Sequence, residues 1–226
     1  MFGLDMIPSR SILRLLLISS VVMSLLCAPL LATGPGVERT GALSAAGVPP
    51  DVAKAVEDKG YRVTLDDGWT ADFWFARSLA TANSAAAAGA LYPDLVNGQF
   101  VGVVTFPKGA SDFRSQALSA GTYTLRYQYI PQDANHMGVS PNPDFLLAIP
   151  VTTDAAPADN LTLKRLVALS AKSTGTAHPA VFAMAPAGTP GTVAKDDQSM
   201  IVFTVGVTTA AGKIETVGIV LKGQAM

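Results

Sequence analysis

The chain is poor in the residues that hold most small exported folds and most metal centres. It has one cysteine, Cys27, in 226 residues. That excludes an internal disulfide and any zinc site built on several thiolates. It has two histidines, His136 and His178, so imidazole chemistry is confined to two positions. Charged residues make up 15% and nearly cancel, 16 Lys and Arg against 17 Asp and Glu, for a net charge of -1. There is no basic excess to neutralise phosphates, which argues against nucleic acid as a partner. Low charge together with 49% apolar content excludes a disordered tail. No G-x-x-x-x-G-K-[ST] or G-x-G-x-x-G phosphate loop occurs, and no G-x-S-x-G nucleophile elbow.

What is present begins with a targeting pattern. Arg10 and Arg14 precede the apolar run Leu15 to Leu26, and the small-residue exit Cys27-Ala28-Pro29-Leu30-Leu31-Ala32 follows. A basic start, an apolar stretch of about 12 residues and such an exit describe a secretory signal peptide. A membrane span needs about 20 apolar residues, so this run is too short to cross. Residues 1–32 are therefore expected to be removed after Ala32, leaving a secreted or periplasmic protein with no membrane span. A lipid anchor on Cys27 is disfavoured because Leu26 stands where such signals have a small residue. The exported chain then has no cysteine and must be held by its core.

Residues 33–50, rich in Gly, Ala and Pro, read as a flexible leader. Asp51 to Asp58 reads as a short helix with Asp51 as N-cap, and Asn160 to Ala171 as a second with Leu163, Leu166, Val167 and Ser170 on one face. Eight segments read as strands: Tyr61 to Leu65, Thr70 to Ala76, Gln99 to Phe106, Gly121 to Ile130, Asp144 to Val151, Ala180 to Ala185, Met200 to Thr208 and Glu215 to Leu221. Asp66-Asp67-Gly68 is a hairpin signal between the first two. Eight strands with one or two short helices predict an all-β antiparallel sandwich, jelly-roll-like, as one domain over residues 51–226. The second helix is expected to cover an open end of it. Alternation puts Tyr123, Leu125, Tyr127 and Tyr129 on one face, and Trp69, Ala71, Phe73 and Phe75 on another. Aromatics in this pattern read as core.

The stretches AGTYTLRYQYIPQDANHMG and SPNPDFLLAIP, with GYRVTLDDG and LVALSAKSTGTAHPAVF, resemble an uncharacterised family of secreted bacterial proteins over most of residues 60–183. The resemblance implies export and carries no activity. Ser115 stands where that family tends to have Gly.

Two functional classes follow. The first is a non-catalytic sandwich that binds a partner, a glycan or an envelope component and needs no cofactor. Its expected contact residues are Trp74, Asp72, Arg126 and Gln128, on the faces opposite the presumed core, with Trp74 free to stack on a sugar ring unless the leader or a second sheet covers it. The second is a metal-dependent enzyme. His136 and His178 in loops, with Asp144, would make a two-His, one-carboxylate set if both histidines lie at the same end of the sandwich. Turn chemistry alone also accounts for Asp133, Asn135 and His136. The carboxylate pairs Asp66-Asp67 and Asp196-Asp197 read as solvated turns rather than a glycosidase pair.

Export predicts a mature protein beginning at Thr33. N-terminal sequencing of the exported form checks this, and an intact Met1 or a lipid-modified Cys27 would contradict it.

Overall fold

The computed structural model describes residues 35–82, 89–130 and 140–223. In chain order the elements are β1 (Gly36–Thr40), α1 (Pro50–Ala55), β2 (Gly60–Thr64), β3 (Thr70–Phe75), β4 (Phe100–Phe106), β5 (Ala110–Ser111), β6 (Ala117–Leu118), β7 (Gly121–Tyr129), β8 (Asp144–Pro150), α2 (Leu163–Thr174), β9 (Ala180–Ala185), β10 (Thr192–Lys195), β11 (Ile201–Thr208) and β12 (Ile214–Lys222). A short 3-10 turn, Val151–Thr153, follows β8. All eight expected strands form. The additions are β1, β10 and the β5–β6 ribbon.

The all-β antiparallel class holds. The strands do not divide into two sheets, however. Ten of them form one sheet in the order β1-β2-β3-β4-β7-β8-β9-β12-β11-β10, and its two end strands lie against each other, so the sheet is nearly closed. Most strands pair with their neighbours in sequence, some through tight turns such as β2–β3 and β11–β12 and others across long excursions, with α1 between β1 and β2, the β5–β6 ribbon between β4 and β7, and α2 between β8 and β9. The only reversal is at β9, where β12 returns to pair and β11 and β10 follow outward.

The inward faces supply the core. Phe203 of β11 lies 5.4 Å from Phe73 and 6.2 Å from Phe75, and Phe106 of β4 stacks on Phe182 of β9 at 5.7 Å. Tyr123, Leu125 and Tyr127 are buried, and Tyr129 packs partly buried against the same cluster. The expected phase of β7 is therefore the observed one. Each such aromatic contributes about 2–3 kcal/mol of burial, the main support for a fold without disulfides.

The leader is a second difference. Gly36–Thr40 pairs antiparallel with β2 from Gly36↔Thr64 to Thr40↔Gly60. Val37 packs on the core, and the Arg39 guanidinium sits 4.0 Å over the Tyr61 ring. These anchors outweigh a composition that reads as linker. The helices also shift. α1 starts at Pro50, a residue whose fixed φ suits a first turn, and Asp51 lies inside that turn. α2 starts after Thr162, whose hydroxyl accepts the Arg165 N–H, and ends at Gly175 with φ 66°. It does not cap an end of the sheet. Leu166 and Leu169 pack on Phe145, Leu147, Ile149 and Val181 of the outer face of β8 and β9. Ser170 and Ser173 both donate to the Ala148 carbonyl, at 2.7 and 2.9 Å. Leu163, placed on the expected buried face, is exposed.

One irregularity positions the site described next. β9 pairs with β12 only at Gly218↔Ala185 and Ile219↔Met184. Beyond Met184 toward Ala180 the two strands diverge. The free edge of β9 is taken up by a loop instead: Phe113 N–H donates to the Val181 carbonyl at 2.7 Å, and Val181 N–H donates to Asp112 Oδ2 at 3.0 Å.

Candidate functional site

The divergence of β9 and β12 opens a cleft of about 650 Å³. Phe182 of β9 and Val220 and Leu221 of β12 form its floor, and Trp69, Phe113 and Lys108 stand around it. Trp69 is half-buried, with its ring 6.1 Å from that of Phe106. Lys108 is exposed and has no ion-pair partner among the described residues. Lys222 at the end of β12 pairs with Asp67 of the β2–β3 hairpin. That ammonium and the Trp69 N–H hold the Asp67 carboxyl below its ordinary value. One opening thus brings together an aromatic ring, the Lys108 ammonium and the hydroxyls of Ser111 and Ser115.

A second cavity of about 470 Å³ adjoins the first and shares Lys222 and Gly223 with it. Each cavity is edged by a loop of the same construction. In Asp112 to Gln116 the Asp112 N–H donates to the Gln116 carbonyl at 3.0 Å, and Asp112 Oδ1 accepts the N–H groups of Arg114 and Gln116. In Asp196 to Met200 the Asp196 N–H donates to the Met200 carbonyl at 2.9 Å, and Asp196 Oδ1 accepts from Gln198 and Met200. The fourth residue of each is a serine with positive φ, Ser115 at 62° and Ser199 at 64°. Among the described residues they are the only non-glycine residues with positive φ. Left-handed backbone at a residue carrying a Cβ costs about 1–2 kcal/mol. Such strain concentrates at functional positions. Ser115 lines the first cavity and Ser199 the second.

The contact residues expected from alternation are not on a free surface. Trp74 is 6% exposed, Asp72 7%, Arg126 0% and Gln128 5%. Trp74 Nε1 donates to the Gly41 carbonyl at 2.8 Å, so the segment after β1 covers the ring. Asp72 takes both arms of the Arg62 guanidinium, at 2.7 and 2.8 Å. Arg126 forms a fork with Asp154 at 2.8 and 2.7 Å and donates to the carbonyls of Gly98 and Ala156. Asp154 also accepts the Thr124 hydroxyl at 2.6 Å. Gln128 bonds the Tyr129 carbonyl. The outer face of β7 is thus a second buried layer, made by the segment after β8.

Nor do the described members of the expected metal set meet. Asp144 is fully buried, and its carboxylate accepts the N–H groups of Leu91 and Tyr92 and the Tyr127 hydroxyl, at 2.8, 3.1 and 2.7 Å. His178 is exposed and precedes Ala180, which pairs with Ala148. Four residues of strand separate Asp144 from Ala148, roughly 13 Å. Asp144 and Tyr129, the described residues flanking the connection that carries His136, lie at the far end of β8 from His178. His136 itself, with Asp133 and Asn135, lies outside the described residues. Among the described residues no cluster of three His, Cys, Asp or Glu side chains could hold a metal ion.

Sequence reasoning missed the cleft residues. Trp69 read as core, and Lys108 and Lys222 carried no pattern. Set against family models, curated proteins and solved structures, the chain matches none of them.

The two loops give a stability prediction. Ser115→Gly and Ser199→Gly relieve the strained φ at the expense of unfolded-chain entropy, for a net gain of about 0.5–1 kcal/mol each. Denaturant unfolding should show both midpoints raised, with Ser115→Ala giving no gain. A Gly variant that unfolds earlier than wild type would show that the loops are not strained.

Proposed function

We propose that the protein is an exported, non-catalytic binding module whose ligand is a glycan of the envelope or surroundings, held in the cleft between β9 and β12. The observation that carries this reading is Trp69, a half-buried indole on a cleft that also presents an unpaired Lys108. Aromatic faces stack on the apolar faces of sugar rings, and an ammonium donates to ring hydroxyls. A cleft of this volume falls within the range used for small ligands. The buried carboxylate lining it, Asp112, is committed to four donors: the N–H groups of Arg114, Gln116 and Val181 and the Gln116 amide. It is therefore a scaffold for the loop and has no lone pair directed to acid–base work.

The protein has two tryptophans, and Trp74 is sealed under Gly41. Ligand-induced change in indole fluorescence therefore reports Trp69. Titration with a binding oligosaccharide should shift the emission, and Trp69→Ala should weaken binding about tenfold, the equivalent of about 1.4 kcal/mol of stacking. Near-UV circular dichroism of Trp74 confirms that the variant is folded. Binding that is unchanged in folded Trp69→Ala would place the ligand elsewhere.

A further inference from the structure

Resting on the glycan-binding reading above, we infer that the ligand is a linear oligosaccharide that occupies both cavities at once, crossing Lys222, rather than a single sugar held beside Trp69. The two cavities are not independent dents. They share Lys222 and Gly223, so a chain leaving the Trp69 cavity passes directly over the end of β12 into the next. Lys222 is held at this crossing by Asp67, and Gly223 is closely packed, since a Cβ there would come 3.0 Å from Met200 and 3.3 Å from the Phe113 ring. The crossing thus consists of Gly223, which adds no side chain, and the Lys222 ammonium, which Asp67 holds in place.

The second cavity has the chemistry that continues a sugar chain. Leu65, Val193 and Ile201 give it an apolar wall, and Asp66, Lys195 and Ser199 give it polar edges. Asp66 and Lys195 are exposed and have no ion-pair partner among the described residues. A hydroxyl both donates and accepts, so it satisfies a carboxylate and an ammonium in one site, whereas a polyanion loses at Asp66 what it gains at Lys195 and a polycation the reverse. The apolar wall matches the C–H face of a pyranose as Trp69 does in the first cavity. The paired loops Asp112 to Gln116 and Asp196 to Met200 then act as matching rims, each setting a serine at its own cavity. Lys195 lines the second cavity and not the first, and is the exposed cation there without an ion-pair partner among the described residues, so it contacts only a chain long enough to reach that cavity.

The test is a printed array of neutral, N-acetylated and uronate oligosaccharides from one to six units, with extended peptides as further spots, probed with the full exported protein and with Lys195→Ala. Lys195 is exposed, so its truncation leaves the fold intact. Affinity should rise with chain length and level off once both cavities are filled. Lys195→Ala should lose about tenfold on the long chains and nothing on mono- and disaccharides. Binding that is independent of length, or long-chain binding unaffected by Lys195→Ala, overturns the inference and leaves the glycan reading standing. Binding to no glycan, or to peptides alone, overturns both.

Discussion

Asp144 is a carboxylate enclosed by the sheet, and among the described residues no cation pairs with it. A buried charge in that position is tolerable only when hydrogen bonds replace its water, and here three donors do so. Two of them are the N–H groups of Leu91 and Tyr92. The carboxylate therefore pins the backbone at Leu91 and Tyr92, before β4, against the core. The Tyr92 hydroxyl then donates to the Ala185 carbonyl and accepts the Gly218 N–H at 2.7 Å. Those two residues are partners in the short stretch where β9 and β12 meet. Burial pushes the Tyr92 phenol up to about 12, and burial together with Asp144 raises the Tyr127 phenol further, so both stay protonated donors over the physiological range.

This arrangement makes the seam between β9 and β12 asymmetric. It is riveted at the Asp144 end and open at the other, where the Asp112 loop substitutes for a strand partner. Fold and cleft have one cause: a sheet that closes at only one end of a seam leaves an opening at the other. The Arg126–Asp154 fork works separately on the outer face of β7, where it fastens the segment that leads to α2. A buried pair of this kind gives little net stability, but losing one partner would strand the other charge.

Much of the strand pattern is legible locally. Alternation over Tyr123 to Tyr129 marks a strand and its inward face, and Asp66-Asp67-Gly68 marks the β2–β3 turn, where Gly68 has φ 78°. Local pattern fails where the partner is remote. Arg126 reads as solvent-facing because nothing near it announces Asp154, 28 residues on. Trp74 reads as a sugar platform because Gly41, which covers it, lies in a segment whose composition resembles a linker. The Asp-x-x-Ser loops are visible as turns, yet their left-handed serines are not, since Gly or Asn would be the expected residue at that φ. The cleft could not be read at all, because it follows from the register in which β12 returns to β9.

The central claim is that Asp144 rivets one end of this seam, and the direct measurement is chemical unfolding of Asp144→Asn beside wild type. An amide keeps one acceptor and turns the other into a donor, so at least one of Leu91 N–H, Tyr92 N–H and Tyr127 hydroxyl loses its partner inside the core. The account predicts a loss of about 1–3 kcal/mol for each donor left unmet, seen as a lower denaturant midpoint. A variant that unfolds at the wild-type midpoint would contradict it.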